Sequence, residues 1–295
     1  MRVATKTVYD MVKFNLANIT SDLNKANKIV STAKRINAPS DDPIGLTQVL
    51  SIKSSLSNVE QLERNIAVGK SWLSASESSL NHVQKLISDA KALCIQMATA
   101  TTGAPQRLSA AKAVQNIYEE IISLANTDVD GRYIFAGSET GTAPFDQNGI
   151  YRGNNTPFAV KIGRDAMAEV GNDGQEIFQP SGAGGTDDIF QTLKDLKSAL
   201  ENNDVSGIKA TICSLDEEFD RISAKISDIG SKMVRMEVKE GIFQDLKLAN
   251  TERLSRIQDA DIAEAITTLK EKQVAYQAAL ASSAKIMELS LLDFL

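Results

Sequence analysis

Side chains that could perform catalysis or bind a metal are scarce in this chain of 295 residues. There is one histidine, His82, and there are two cysteines, Cys94 and Cys213. A zinc site needs three or four His, Cys or carboxylate ligands at a characteristic spacing, and acid–base catalysis needs groups that converge in one pocket. His82 instead falls between apolar residues of a helical pattern. Because both cysteines fit apolar helix positions, we predict that both are buried core residues.

Two further segments contain residue types that bind ions. Asp41 and Asp42 are adjacent carboxylates, but no neighbouring residues complete the oxygen cage that a hard cation requires. Residues 182–185 are rich in glycine, but no convincing strand precedes them, as a phosphate-binding loop would require. We expect these residues to form a flexible link. The sequence therefore predicts a protein that is not an enzyme, binds no metal and needs no cofactor.

Charge and hydropathy argue against two classes of partner. Acidic residues outnumber basic ones by 38 to 32, so the clustered Lys and Arg of a nucleic-acid-binding protein are not expected. No apolar run approaches the length of a membrane span, and the first residues lack the apolar core of a cleaved signal peptide. The basic N-terminal segment has only Tyr9 and Phe14 as aromatic anchors, so a partner helix is favoured over a membrane surface. The residues leave open whether the protein stays in the cytoplasm or is exported without a cleaved signal.

Composition divides the chain into three parts. Residues 1–127 and 186–295 carry helical periodicity, whereas residues 130–185 hold eleven of the 17 glycines and three of the 6 prolines. The predicted fold is mainly α: an elongated bundle of long, coiled-coil-like helices from both chain ends, with a small antiparallel β module inserted in the middle. The predicted segments are an N-terminal assembly helix (1–43), rod helices (44–129), the β module (130–185), rod helices (186–257) and a C-terminal assembly helix (258–295).

Two apolar stripes with heptad-like steps predict the packing of the rod. The first predicts a helix from about residue 44 to 101, with Gly69 and Ser76 as its weak layers. It consists of Val59, Leu62, Ile66, Gly69, Leu73, Ser76, Leu80, Val83, Ile87, Ala90, Cys94 and Met97. The second consists of Ile208, Ile212, Leu215, Phe219, Ile222, Ile226, Ile229, Met233 and Met236. We expect the two stripes to pack against each other, either antiparallel or parallel.

Shorter elements are predicted between these stripes. A helix at 106–126 should bury a stripe that begins at Leu108, and a second helix should begin at the cap residue Thr186. In the glycine-rich part, residues 132–136 and 158–162 have the composition of short strands. The pair Asn148-Gly149 is a strong hairpin signal.

The two chain ends are amphipathic helices whose single narrow apolar face needs a partner. Residues 1–35 carry a net charge of +5 and residues 260–295 carry −2, which favours pairing of the two ends over self-pairing of the first. We predict that the apolar faces form the assembly interface. Its residues are Ile19, Leu23, Val30, Ile262, Ile266, Leu269, Tyr276, Leu280, Met287 and Leu291.

A rigid elbow is predicted after the first helix. Pro39 ends that helix, and Asp42 with Pro43 starts the next one as its N-cap and first residue. Asp41 lies in the same turn. The predicted elbow residues are thus Pro39, Asp41, Asp42 and Pro43.

This elbow and the C-terminal segment resemble a known family. Residues 34–43 (KRINAPSDDP) resemble the N-terminal signature of flagellin-type axial proteins, and residues 258–266 and 289–295 resemble their C-terminal signature. Residues 1–5 (MRVAT) and 131–137 (GRYIFAG) are more similar to the hook-associated junction branch of the family than to filament flagellins.

The resemblance implies a structural subunit of the bacterial flagellum, exported unfolded by the flagellar type III apparatus and therefore secreted. It implies that the terminal helices pair in an inner tube, with the long helices outside them and the inserted module facing outward. The expected partners are other copies of the chain, a neighbouring hook-associated protein, flagellin and an export chaperone. The alternative within the family is a filament-forming flagellin.

Overall fold

The structure is a computed structural model that describes the backbone of residues 2–99, 102–185 and 187–292, and the side chains of these residues apart from 2–5, 8 and 286–292. The elements, in chain order, are α1 (Arg2–Thr32), α2 (Pro43–Met97), α3 (Ala104–Ala125), β1 (Asp128–Val129), β2 (Arg132–Tyr133), β3 (Ala159–Lys161), β4 (Met167–Glu169), α4 (Gly174–Phe178), α5 (Ile189–Glu201), α6 (Val205–Gln258) and α7 (Ile262–Leu292).

The fold class predicted from the sequence is confirmed: the protein is mainly α, with long helices from both ends and short antiparallel strand pairs in the middle. The chain forms two compact units. Residues 1–58 and 245–295 make the terminal unit, and residues 59–244 make the central unit. Helices α2 and α6 each contribute to both units.

In the central unit, α2 and α6 pack antiparallel along the two predicted stripes. Lys70 pairs with Glu240 at 2.8 Å, and Lys91 pairs with Asp216, so rising numbers on α2 meet falling numbers on α6. Every residue of the first stripe is buried except Leu62, which is half-buried. Burial of each large aliphatic side chain stabilises the fold by roughly 1.5–3 kcal/mol, and this seam belongs to one apolar core that also includes α3, α5 and the inserted segment.

Residues 170–172 of the inserted segment dock at the two weak layers of the first stripe. A Cβ on Gly69 would lie 3.1 Å from Val170 Cγ1 and 2.9 Å from the Met236 methyl group, so only glycine lets both approach α2 this closely. Ser76 is fully buried. Its hydroxyl donates to the Trp72 carbonyl at 2.9 Å and accepts from the side-chain amide of Asn172 at 3.0 Å. Residues 170–172 therefore dock where the apolar stripe is interrupted.

The two cysteines differ in environment. Cys94 is fully buried, as predicted, and its Sγ lies 3.7 Å from the Thr211 hydroxyl. Burial raises the pKa of its thiol above the ordinary range. The prediction for Cys213 is wrong because its side chain is exposed. It follows Ile212 by one residue, and a step of about 100° around the helix carries it off the buried face.

Helix α3 buries Arg107 in place of Leu108, which was predicted to be buried. Leu108, expected on the buried stripe, is 52% exposed, whereas Arg107 is only 4% exposed. The Arg107 guanidinium donates to the carbonyls of Met97 and Thr99 at 3.0 Å each and also to the Asn203 side chain. Since the last carbonyls of α2 have no partner within the helix, burial of an arginine here satisfies them.

Helix α5 begins at Ile189, later than predicted. Its N-cap is Asp188, whose carboxylate accepts from the Phe190 amide at 2.9 Å. The predicted cap, Thr186, lies outside the described residues. Helix α2 likewise ends at Met97, before the predicted end at residue 101, which is also outside the described residues.

The β segment consists of two separate antiparallel pairs, β1–β2 and β3–β4. The first is closed by Asp130 and Gly131, which both have positive φ, as two-residue hairpin turns require. The hairpin predicted at Asn148-Gly149 is only a turn beside a single bridge between Phe145 and Tyr151. One oxygen of the Asp146 carboxylate accepts from the amides at positions 148 and 150, which are then not available to a strand ladder.

Aromatic rings attach this segment to the helices. Four phenylalanines and two tyrosines form a chain of rings whose centroids lie 5.2–6.0 Å apart. They are Tyr118, Phe135, Phe145, Tyr151, Phe178 and Phe190. Trp72 of α2 packs separately against Phe158 at 4.8 Å.

Replacement of Arg107 by Met tests the inward arginine. We expect Arg107→Met to lower the free energy of unfolding of the central unit by about 1–3 kcal/mol, because it leaves the buried carbonyl of Met97, the last residue of α2, without this donor. The matched control is Lys112→Met, which removes an exposed charge from the same helix and should change stability by less than about 0.5 kcal/mol. Urea unfolding followed by circular dichroism measures both. Equal effects would show that Arg107 has no special role.

Candidate assembly interface

The two terminal helices pair with each other, and they run antiparallel. At one end, Lys34 and Asp259 form an antiparallel backbone bridge, and the Ala260 amide donates to the Ala33 carbonyl at 3.0 Å. Further along, Asp22 of α1 pairs with Lys272 of α7 at 2.8 Å. The chain ends are therefore joined both at the connectors and along the helices.

The connector between α1 and α2 is organised by two carboxylates. Asp41 accepts from the amides of Asn37 at 3.1 Å and Ala38 at 3.0 Å, and it pairs with Lys25 at 3.2 Å. The hydrogen bond from the Asn37 amide is the main cause that holds the pKa of Asp41 below its ordinary value. Asp42 precedes α2, and its carboxylate accepts from the Gly45 amide at 2.8 Å. With Pro43 as first residue, α2 starts at a fixed point. The prediction that Pro39 ends the first helix is wrong, because α1 already ends at Thr32 and Pro39 lies exposed in the turn.

The first turn of α2 needs glycine at position 45, because neighbouring atoms leave no space for a Cβ there. A Cβ at this position would lie 2.3 Å from an Asp42 carboxylate oxygen and 2.7 Å from Ile36 Cδ1. Ile36 is 1% exposed, so it has little freedom to move away. The capping carboxylate and the buried isoleucine therefore both depend on a residue without a side chain.

The connector between α6 and α7 is hydrogen-bonded to the connector between α1 and α2. The Gln258 carbonyl accepts from the Arg35 amide at 2.7 Å, and the Arg35 guanidinium donates to the Ile257 carbonyl at 3.0 Å. Asp261 starts α7, because its carboxylate accepts from the amides of Ala263 at 2.9 Å and Glu264 at 3.2 Å. We call residues 33–42 together with 257–261 the connector pair.

The structure divides the predicted interface residues into three groups. Ile19, Leu23, Val30, Leu269 and Tyr276 are half-buried, in helices that contact each other. Ile262, Ile266 and Leu280 are exposed. Met287 and Leu291 lie outside the residues whose side chains are described.

Sequence reasoning missed the most buried side chains of the helix pair. These are the small residues Ala26 and Ala265, 6% and 9% exposed. Ala26 lies on the apolar stripe of α1, so a small residue on the stripe was the available signal. Small side chains let two helix backbones approach closely, and larger neighbours then remain near the surface.

Large apolar side chains remain uncovered on both terminal helices. Tyr9, Met11 and Phe14 of α1 are more than half exposed, and so is Val274 of α7. Val274 lies in a shallow groove that is also lined by Thr267, Lys270, Glu271, Ala275 and Ala278. These side chains make the terminal helices the candidate surface for contact with another molecule.

Charge contributes little to the pairing of the helices. The prediction rests on the net charges of the two segments, and in the ion pair described between them the acid, Asp22, lies on α1 and the base, Lys272, on α7. Its hydrogen bond with Lys272 lowers the pKa of Asp22. Exposed ion pairs of this kind are weak. Apolar contact and the backbone bonds of the connector pair therefore hold the two helices together.

The described residues offer neither a metal site nor a membrane-spanning helix. Among the described residues, no group of three or more His, Cys, Asp or Glu side chains is placed to hold a metal ion. The helices in the same part of the chain include none that is both long and apolar enough to cross a bilayer. His82 is exposed, and its Nδ1 lies 2.7 Å from the Ser78 carbonyl one turn earlier.

The chain matches two family models, one at each end. Residues 3–140 match the bacterial flagellin N-terminal helical region, and residues 212–295 match the bacterial flagellin C-terminal helical region. Together the two matches cover most of the chain, including both helices of the candidate interface and the connector pair.

Individual relatives also match over most of their length. The chain is 28% identical to flagellar hook-associated protein 3 of Salmonella typhimurium, over 94% of this chain and 94% of that protein. It is 21% identical to flagellin of Bacillus subtilis, again over 94% of each. Among solved structures, the crystal structure of Bacillus cereus FlgL matches with a TM-score of 0.61 and 25% identity, over 70% of this chain and 99% of that one.

Replacement of Gly45 by alanine tests the lack of space in the first turn of α2. We expect Gly45→Ala to destabilise the terminal unit by about 1–2 kcal/mol, because the added Cβ displaces the Asp42 cap or Ile36. The matched control is Gly230→Ala on α6, where an added Cβ meets nothing within 4 Å. The control should be neutral or slightly stabilising, since alanine favours helix. Hydrogen exchange of peptides from residues 20–58 measures the effect, and unchanged exchange in Gly45→Ala would contradict the steric argument.

Proposed function

Because the chain belongs to the flagellin family, we propose that it is the structural subunit that joins the hook of the bacterial flagellum to its filament, and that it assembles through its paired terminal helices. The observation that supports the assembly part is the exposed apolar surface on α1 and α7, in helices that already pair with each other. The match to hook-associated protein 3 over nearly the whole chain supports the position at the junction, since the flagellins it resembles are more distant.

The interface comprises the predicted residues together with the uncovered ones. The exposed Ile262, Ile266 and Leu280 contact neighbouring subunits, and the half-buried Leu23 and Leu269 hold α1 and α7 together. Neighbours cover the exposed apolar side chains in the assembly, and this burial drives association.

The partners follow from this position. The subunit contacts other copies of itself, a neighbouring hook-associated protein on one side and flagellin on the other, after delivery by an export chaperone and the flagellar type III route. It is then secreted and is part of the extracellular flagellum. Its role is mechanical, and no catalytic step is assigned to it.

A filament-forming flagellin is the second candidate, supported by the full-length match to the Bacillus subtilis protein. The two candidates differ in how assembly ends. A filament subunit repeats a head-to-tail contact without limit, whereas a junction subunit changes partner after a short layer.

Position on the cell distinguishes the candidates. An epitope tag in the exposed turn at residues 139–143, detected by immunogold electron microscopy, should give one band at the outer end of the hook. Label along the whole filament would instead support a flagellin. Label only inside cells that carry intact flagella would overturn both candidates.

A charge on the exposed apolar surface should block assembly. We expect Ile266→Asp to reduce incorporation into flagella at least tenfold, because a carboxylate buried without a partner costs several kcal/mol. Far-ultraviolet circular dichroism of the purified variant should match the parent protein, since Ile266 is already exposed in the free subunit. Leu23→Asp tests the same interface from α1, at a half-buried position.

The matched control is Ile150→Asp, which places the same charge on an exposed isoleucine of the inserted segment. It should assemble normally in a motility assay and on isolated flagella. Equal loss of assembly in the control would argue against the terminal helices as the specific interface. Loss of helical signal in Ile266→Asp would show that this residue belongs to the core of the free subunit.

A further inference from the structure

A buried carboxyl group lies in the central unit, where neither the packing nor the assembly role requires one. Glu218 of α6 is 1% exposed, and it is surrounded by the apolar core. Its Oε1 accepts a hydrogen bond from the Thr192 hydroxyl of α5 at 2.7 Å. Its other oxygen, Oε2, is buried without a hydrogen-bond partner. An unpaired oxygen costs much more free energy when it is charged than when the carboxyl group is neutral.

The charged groups that bear on Glu218 do not neutralise it. Arg221 is the nearby cation, and its charge favours the ionised form, but its guanidinium donates to the carbonyls of Ile177 at 3.0 Å and Asp187 at 2.9 Å while Oε2 of Glu218 stays without a donor. The side chains of Asp187 and Asp188 add negative charge on the side of α5. Asp188 is itself 3% exposed. A charged Glu218 would thus be another carboxylate in a region that already holds two.

The same residues attach one segment of the chain to α6. Residues 177–192, which are described apart from position 186, run from the end of α4 through the glycine-rich link into α5. Besides apolar packing, their polar contacts with α6 include those of Arg221 and of Thr192 with Glu218. Within the segment, the Asp188 carboxylate accepts from the amide of Gly184 at 2.8 Å and from the Gln179 side chain at 3.1 Å. The other Gln179 side-chain atom, Oε1, is also buried without a partner. The polar contacts of this attachment are therefore incompletely satisfied.

We propose that Glu218 is a proton-dependent contact: with its proton bound it holds residues 177–192 on α6, and loss of that proton loosens this segment from the helix. The charged carboxylate requires water at Oε2, and water can reach it only if the segment opens. Glu218 and residues 177–192 all belong to the central unit, so this contact can be tested separately from the assembly role.

The direction of the pH dependence follows from linkage. Burial, partly opposed by the Thr192 hydrogen bond, raises the pKa of Glu218 from its ordinary 4.5 to about 7. The closed form therefore binds more protons than the open form between these two values, and opening becomes easier as pH rises. The equilibrium constant for opening should rise about tenfold per pH unit across this window and level off above it, which gives about twentyfold between pH 5.5 and 7.5.

Hydrogen exchange of the full-length protein, resolved by mass spectrometry, tests the proposal. At each pH, the exchange rate of amides in residues 177–192 is compared between the wild type and Glu218→Gln, so that the intrinsic chemical rate cancels. The wild-type-to-variant ratio should rise about twentyfold from pH 5.5 to 7.5, because the glutamine has no proton to lose. The matched control is Glu217→Gln, which removes the same charge from the adjacent exposed position and should keep the wild-type pH response.

A constant ratio between the two pH values would overturn the proposal, and so would an equal loss of pH response in Glu217→Gln. If Glu218→Gln does not fold, the wild type alone decides. Residues 177–192 should then gain exchange from pH 5.5 to 7.5 beyond the intrinsic rate, while α3 of the same unit should not. Parallel behaviour of both segments would rule out a local proton-dependent contact.

Discussion

The packing of α2 against α6 along one apolar stripe is the contact on which the central unit depends. The two residues that interrupt this stripe, Gly69 and Ser76, also contact the inserted segment, because residues 170–172 dock against them. Val170 reaches α2 only beside Gly69, where no Cβ stands in the way, and Asn172 is buried only beside Ser76, which supplies an oxygen acceptor. Residues that weaken the seam as a coiled coil are thus the ones that fix the position of the inserted segment.

Helical periodicity predicted this seam correctly, because the spacing of apolar residues in a long helix is a local property. It failed where a distant group decides which side chain turns inward. Leu108 has the hydrophobicity for the core, but Arg107 is buried because the end of α2 needs donors. The Asn148-Gly149 signal failed in the same way, since Asp146 takes the amides that a ladder would use. Cys213 differs: it was expected in the core, but it follows Ile212 of the second stripe by one residue and therefore lies on the exposed side of α6.

The sequence predicted which sides of α1 and α7 are apolar, but it did not predict which residues on those sides are buried between the two helices. An amphipathic pattern identifies the apolar side of α1 and α7, and Pro39 together with Asp42 and Pro43 identifies the elbow between α1 and α2. Neither tells which apolar residues are used within the pair and which remain uncovered. That division is set by the close approach of backbones at Ala26 and Ala265, which leaves Ile266 and Phe14 at the surface. It depends on the register of two segments more than 200 residues apart, and the connector pair sets that register.

The terminal unit separates two requirements of a junction subunit. Backbone hydrogen bonds and short capping contacts at the connector pair are directional, and they fix how α1 and α7 leave the rest of the unit. The outer faces of those helices carry apolar side chains, whose attraction is not directional. A subunit that must contact one kind of protein on one side and another kind on the other gains from this division. In the proposed assembly, ion pairs on these faces would specify a single partner, whereas exposed apolar residues such as Phe14 and Val274 would suit both.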